Sequence, residues 1–204
     1  MSKNAQELEV KFYLATLTGL ENRLKVLNAA LVQPRVHEIN LRFDTPDMQL
    51  TRSFRVLRLR RDNQSILTYK GPGQEIDGVR LRQELEFTVG DFDMAKAFFE
   101  ALGYQVSVIY EKYRAIYDLG AVHITLDEMP YGSFAEIEGP DGKTIQETAR
   151  LLELDWETRI IDSYLVLFDR VKTVLGLTFR DLTFDNFQGM AVPASALGTS
   201  LAEK

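Results

Sequence analysis

No cysteine occurs among the 204 residues, so disulfides and thiolate metal sites are excluded. Histidine is nearly as scarce: His37 and His123 alone could offer imidazole, too few for a zinc site. No run approaches the roughly 18 uninterrupted apolar residues of a membrane span, and Met1-Ser2-Lys3-Asn4-Ala5-Gln6-Glu7 lacks the apolar core of a secretory leader. A cytoplasmic protein without membrane partners is expected. Nor is there an excess of positive charge; 24 Lys and Arg against 30 Asp and Glu leave a net charge of −6, which argues against a nucleic-acid binder. Internal repeats and low-complexity tracts are also missing. What remains is ordinary globular composition, 45% hydrophobic and 26% charged, and one domain with a tail is the natural division, residues 1–176 and an extension over 177–204.

What the chain has in quantity is alternation. In Glu7-Leu8-Glu9-Val10-Lys11-Phe12 the charged side chains share one face of a strand and the apolar ones the other. The pattern recurs with the same polarity. Arg58 and Arg60 oppose Leu57 and Leu59; Arg80, Arg82, Glu84 and Glu86 oppose Leu81, Leu85 and Phe87; Lys112 and Arg114 oppose Tyr113 and Tyr117. Asp127 stands against Leu126, and Glu136 and Glu138 against Phe134 and Ile137. A solvated sheet face mixes Thr, Ser and Gln with Lys, whereas these faces are nearly pure Arg, Lys and Glu.

Between the strands, Leu17, Leu20, Leu24, Leu27 and Leu31 recur at helical spacing up to Pro34, and a strand is expected from Val36 to Asp44. Thr45-Pro46-Asp47 and Asp62-Asn63 read as turns, and Ile66 to Lys70 as a strand. Gly71 to Gly78 is glycine-rich, but it leads into another strand and not into a helix N-terminus, so a flexible hairpin connection is expected in place of a phosphate loop. Phe92, Ala95, Phe98, Phe99 and Leu102 mark a helix from Asp91 to Gly103. Thr144 with Glu147 has capping-box spacing for a helix that buries Ile145, Ala149 and Leu152, and Ser163 starts another that stops at Gly176. Phe179 to Phe187 should dock on the domain, while Gly189 to Lys204, rich in Ala, Gly and Ser, should be mobile. His37 and His123 read as packing or surface residues and Trp156 as core.

Eight antiparallel strands suffice to close a barrel. Leucine-faced helices need an apolar wall to pack on, so the apolar strand faces point outward and the charged faces line the interior. The expected fold is therefore α+β, a closed eight-stranded antiparallel β-barrel with a charged interior and flanking helices. Burying unpaired charge costs several kcal/mol per ion, so such an interior should be wet and should bind something. Its cations, Lys11, Arg58, Arg60, Lys70, Arg82, Lys112 and Arg114, suit a polyanion. Its carboxylates, Glu7, Glu9, Glu84, Glu86, Asp127, Glu136 and Glu138, suit Mg2+ or Mn2+. A metal triphosphate meets both demands.

These residues carry a resemblance. Glu7-x-Glu9-x-Lys11 resembles the opening signature of the CYTH superfamily, the triphosphate tunnel metalloenzymes. Phe43-Asp44-Thr45-Pro46-Asp47, Leu57-Arg58-Leu59-Arg60, Thr68-Tyr69-Lys70-Gly71-Pro72, Arg82-x-Glu84-x-Glu86, Glu111-Lys112-x-Arg114, and Asp127 with Phe134 to Glu138 follow in the family's order, from Glu7 to about Leu175. The resemblance implies a triphosphate tunnel, dependence on Mg2+ or Mn2+, metal ligation by Glu7, Glu9, Glu136 and Glu138 with Asp127 nearby, and phosphate binding by Lys11, Arg58, Arg60, Lys70 and Arg114. Its implications for Arg82, Glu84, Glu86 and Lys112 are less uniform. Arg42 departs from the pattern, standing where many members have tyrosine, and is itself a candidate phosphate contact.

The leading expectation is metal-dependent hydrolysis of a small triphosphate, inorganic tripolyphosphate, thiamine triphosphate or a nucleoside triphosphate. A water would attack the terminal phosphorus, and a lysine among Lys11, Lys70 and Lys112, its pKa lowered by arginine neighbours, would act as base. A class IV adenylate cyclase, forming cyclic AMP and pyrophosphate from ATP, would use nearly the same residues. A non-catalytic polyphosphate or nucleotide binder would need the cations but not the full set of carboxylates. A monomer or homodimer fits any of the three.

Overall fold

The computed structural model describes residues 6–203. Its strands are β1 Gln6–Leu14, β2 Ala30–Asp44, β3 Val56–Arg61, β4 Ser65–Ile76, β5 Val79–Val89, β6 Gln105–Leu119, β7 Val122–Met129 and β8 Gly132–Glu138. All pair antiparallel in the order β1-β5-β4-β3-β2-β6-β7-β8, and β8 returns to β1, so the ladder closes into a ring. Flanking it are α1 Thr18–Val26, α2 Gln49–Arg52, α3 Phe92–Ala101, α4 Gly142–Leu151, α5 Tyr164–Leu175 and α6 Ala194–Leu197. The fold is α+β, as expected.

The alternation of the strands decides where the core lies. Val10, Phe12 and Leu14 of β1 face outward and pack with Leu20 and Leu24 of α1 and Ile145 and Ala149 of α4. Leu41, Phe43 and Leu59 meet Phe92 and Phe99 of α3. Each fully buried Leu, Ile or Phe contributes about 1.5–3 kcal/mol, so the ring is held by its outer skin. Phe134 is the exception to the expected faces. It shares the inward face with Glu136, opposite Asp127 in register, and fills one end of the lumen with Tyr13 and Tyr164, each ring 5.2 Å away.

Several boundaries move for identifiable reasons. Helix α1 ends at Val26 because Asn28 takes φ 55° and Ala29 N–H turns back to the Leu24 carbonyl. Leu31, expected on that helix, lies exposed on β2, which passes through Pro34 by means of register shifts on both sides of Gln33. Proline has no N–H to give a ladder, and an irregular strand is where it fits. Gly71-Pro72-Gly73 is likewise not a flexible connection but a shifted stretch within β4, and the tight turn is Asp77-Gly78, with φ 53° and 74°. Asp141, not Thr144, caps α4 by accepting from Thr144 N–H. On α3, Phe98 and Leu102 are exposed and only Phe92, Ala95 and Phe99 of the expected stripe pack inward.

The tail is built into the wall. Leu182 bridges Tyr110 of β6, Leu201 bridges Tyr13 of β1, and Ala196, Leu197 and Ala202 are buried where mobility was expected. Glu203 accepts from Ala15 N–H at 2.7 Å.

Asp44 explains the Phe43-Asp44-Thr45 stretch. Its buried carboxylate accepts from the backbone N–H groups of Thr45, Leu50 and Thr51 at 2.8–2.9 Å and from the Thr51 hydroxyl at 2.6 Å. It thereby fixes the β2–β3 crossing. Asp44→Ala should strand three amide donors and lower unfolding free energy by about 2–3 kcal/mol, read as a lower urea midpoint at unchanged m.

Candidate functional site: a lumen lined by charge

The inward faces enclose a cavity of about 860 Å³. Every site residue expected from the sequence lines it except Asp127. Glu7, Glu9, Lys11, Glu136 and Glu138 reach in from β1 and β8; Arg42, Arg58, Arg60, Lys112 and Arg114 reach in from β2, β3 and β6. Lys70, Arg82, Glu84 and Glu86 come from β4 and β5 between them.

On the carboxylate side the lysines are held as ammonium ions. Lys11 Nζ lies 2.9 Å from Glu9 and 3.1 Å from Glu136. Burial alone would lower its pKa, but Glu136, Glu9 and Glu7 outweigh burial and raise it. Lys70 Nζ bonds both oxygens of Glu7 at 2.7 and 2.8 Å and lies 3.2 Å from Glu84; its pKa is raised in the same way, by Glu7, Glu9 and Glu84 against burial. The expected lysine base is therefore corrected. Carboxylates, not arginines, are the nearest neighbours of Lys11 and Lys70, and Lys112 stands between Asp127 at 3.2 Å and Glu38 at 3.6 Å.

Asp127 is not an open ligand either. Fully buried, it accepts from Arg114 through both oxygens, at 2.6 and 2.5 Å, from Lys112, and from the Tyr164 hydroxyl at 2.7 Å. It stands behind the lumen and aims Arg114, which also bonds Glu136.

The opposite side has donors to spare. Arg58 gives its terminal nitrogens to Tyr110, Thr68 and Glu86, yet its Nε and that of Arg42 are buried without acceptors. Asn40, fully buried, has no partner for either amide atom. Unmet buried donors each cost about 1–3 kcal/mol, and an oxygen-rich anion would relieve several at once. Burial raises the Tyr110 pKa, but Arg58, Lys112 and Arg42 reverse this and hold it below the usual tyrosine range.

The donor chemistry also fits a hard divalent cation. Burial and the neighbouring Glu7 and Glu84 push the Glu138 carboxyl up to about 7. Among the described residues no three carboxylates or imidazoles form a closed cage. A cation here would take one or two carboxylates, Glu138 foremost, and complete its shell from phosphate and water, the habit of Mg2+.

Sequence reasoning passed over Glu38, Asn40 and Tyr110, although all three obey the same alternation on β2 and β6. It could not have found Tyr164, which enters from a helix. His123, read as packing or surface, lies at the cavity rim with Nδ1 2.5 Å from Asp118 Oδ1. His37 and Trp156 do pack, against Tyr113 and Phe12 respectively.

Comparison with known proteins agrees with this geometry. A family model, the CYTH domain, matches residues 5–162. Adenylate cyclase CyaB of Aeromonas hydrophila is 29% identical over 135 residues, 64% of this chain and 67% of its own. A candidate adenylate cyclase of Vibrio parahaemolyticus shares the fold with TM-score 0.74 at 23% identity, covering 82% of this chain and 99% of that one. A candidate adenylyl cyclase of Hippeastrum, HpAC1, whose dominant activity is that of a triphosphatase, shares it with TM-score 0.63 at 18% identity, covering 80% and 95%.

Glu38 makes the pH dependence of the lumen testable. Burial opposes its ionisation, but Lys112, Arg114, Arg60 and Arg58 lower its pKa to about 2. A carboxyl depressed in the folded state stabilises fully above its unfolded value of 4.5, and the contribution is lost as pH falls from there towards 2. At neutral pH it amounts to about 3 kcal/mol. Urea unfolding from pH 7 to pH 3 should show about 2 kcal/mol of that loss in the natural chain, the rest going below pH 3, and Glu38→Gln should remove this part of the slope.

Proposed function

The chain belongs to the CYTH domain family, and from that premise we propose that it hydrolyses a small triphosphate in the lumen with the help of Mg2+ or Mn2+. The observation that carries this reading is the division of the interior. Buried arginine and asparagine donors without partners face one way, and a group of carboxylates in which Glu138, beside Glu7 and Glu84, is pushed up to about 7 faces the other. A bare polyanion answers only the first, a bare cation only the second. The triphosphatase activity of the fold neighbour HpAC1 is consistent with it.

Phosphoryl transfer needs alignment and charge neutralisation more than covalent help. Arg42, Arg58, Arg60 and Arg114 grip non-bridging oxygens, with Arg114 aimed by Asp127. Lys11 and Lys70 remain cations and bind phosphate oxygens in exchange for part of their carboxylate contacts. Tyr110 Oη, beside Arg58 at 3.3 Å, can hold or yield a proton next to those oxygens. A divalent cation held by Glu138, with at most one of Glu7, Glu9 and Glu136 beside it, would neutralise the phosphates further and orient the attacking water.

The name of the Aeromonas relative favours a second reading, adenylate cyclase, in which the ribose 3′-hydroxyl of ATP replaces water and pyrophosphate leaves. Incubating the protein with Mg2+ or Mn2+ and tripolyphosphate, thiamine triphosphate or ATP, then separating the products, decides between them. Orthophosphate with a diphosphate is the expected outcome; cyclic AMP with pyrophosphate would establish the cyclase.

Glu136→Gln and Arg58→Ala should each lower turnover at least 100-fold while circular dichroism stays native. Undiminished turnover in Glu136→Gln would remove the carboxylates from the mechanism.

A further inference from the structure

Helix α3 is apolar around more of its circumference than the ring covers. At about 100° per residue, Phe92, Ala95 and Phe99 share the side that packs on Leu41, Phe43 and Leu59 of the wall. Met94, Ala97, Phe98, Ala101 and Leu102 share a second side, and all five are exposed, the three large ones by 67%, 61% and 60%. Asp93, Lys96 and Glu100 stand together on what is left, where Lys96 and Glu100 pair with each other at 3.1 Å. No charge interrupts the exposed stripe. A helix apolar on two sides belongs in an interior, and this one has only one side in it.

The wall beside α3 has the same character. Leu59, under the helix, neighbours Leu67 of β4 in register, and Leu67 neighbours Phe87 of β5; Leu57, Tyr69 and Leu85 form the next row. Strands lie about 4.8 Å apart, so each row runs about 10 Å outward from the β3 strand. Phe87 and Leu85, at the far ends, point away from the lumen that Glu84 and Glu86 line and are left 58% and 47% exposed.

At about 200 Å² for a whole side chain of this size, the five large exposed residues leave about 600 Å² of apolar surface open. That is the upper end of what a monomer shows in one patch, and with Ala97, Ala101 and a polar rim it approaches the roughly 800 Å² per partner of a stable complex. The pattern of the stripe points to the partner. Met94 and Leu102 stand four residues on either side of Phe98, so a two-fold axis at Phe98 turns the stripe onto itself and sets Met94 against the partner's Leu102. The small Ala97 and Ala101 let the two helices approach closely. An uncharged face offers little to a partner selected by charge, and a contact with itself through that face brings no like charges together although each copy carries −6.

We propose that the α3 stripe and the adjoining β4–β5 wall are the contact between two copies of this chain, which is a two-fold homodimer. The contact is independent of the chemistry of the lumen, whose residues face the other side of the wall.

Sedimentation velocity over about 1 to 100 µM chain tests it, since dimerisation depends on concentration. The natural chain should reach twice its mass of 23.3 kDa. Phe98→Glu, at an exposed side chain, brings two carboxylates to the axis and should weaken association at least 100-fold while circular dichroism stays native. Because the chain has no cysteine, Ala97→Cys supplies a single thiol beside the axis; mild oxidation should link it into a dimer at least tenfold faster than Lys143→Cys on the exposed side of α4. A natural chain that stays monomeric throughout the range would overturn the proposal and leave the stripe to an unlike protein. A dimer that survives Phe98→Glu, with Ala97→Cys linking no faster than Lys143→Cys, would overturn it by placing the contact elsewhere.

Discussion

Everything in this fold depends on keeping charges of both signs inside a closed ring. In that setting a lost partner costs about 3–5 kcal/mol, because the charge left behind is uncompensated. Asp127 shows how the constraint is met. It gathers Arg114 and Lys112 of β6 and the hydroxyl of Tyr164 on α5, and Arg114 continues to Glu136 of β8. One buried carboxylate thus joins two neighbouring strands to the helix that closes off an end of the lumen. The position of α5 is an electrostatic consequence as much as a packing one.

The same constraint sorts the interior into two parts with opposite needs. Where carboxylates and lysines alternate, as at Glu9, Lys11 and Glu136, the charges satisfy one another and the lysines stay protonated. Where arginines crowd with Glu38, Asn40 and Tyr110, buried donors and the Glu38 oxygens alike lack hydrogen-bond partners, and the tyrosine loses its proton more readily. A ligand that carries both a metal and several phosphate oxygens brings to each part what it lacks. Binding and relief of internal strain are then one event, which is how a site can be preorganised without being an inert core.

The ring and most of its lining were legible because a period of two is hard to mistake when one face is nearly all charged. Glu7, Arg58, Arg82, Lys112 and Glu136 all point where alternation put them. Legibility failed where local backbone geometry overrode the pattern. Leu31 continued a helical spacing that Asn28 had already ended, and Pro34 looked like a stop although an irregular strand accommodates it. Val32 could not be assigned to the rim of the cavity, because the register shifts that place it depend on pairing with β6. Tyr164 and the engagement of Asp127 were out of reach for a similar reason: a contact between a helix and a strand 37 residues earlier leaves no periodic trace. The lysines were misjudged because a list of inward residues says nothing about which charges are nearest.

The closure of the ring has a consequence for how the chain comes to be folded. Glu9 of β1 pairs with Glu138 of β8, so the first strand cannot find its last neighbour until most of the chain has been synthesised. Pairings this distant in sequence form late. An ordinary sandwich caught half-built exposes a greasy interior and invites aggregation. Here the half-built sheet turns its apolar face to α1, α3 and α4, which lie close to it in sequence, and shows water a face of Arg, Lys and Glu. The residues suited to holding a polyanion in the finished protein would also keep the unfinished one in solution.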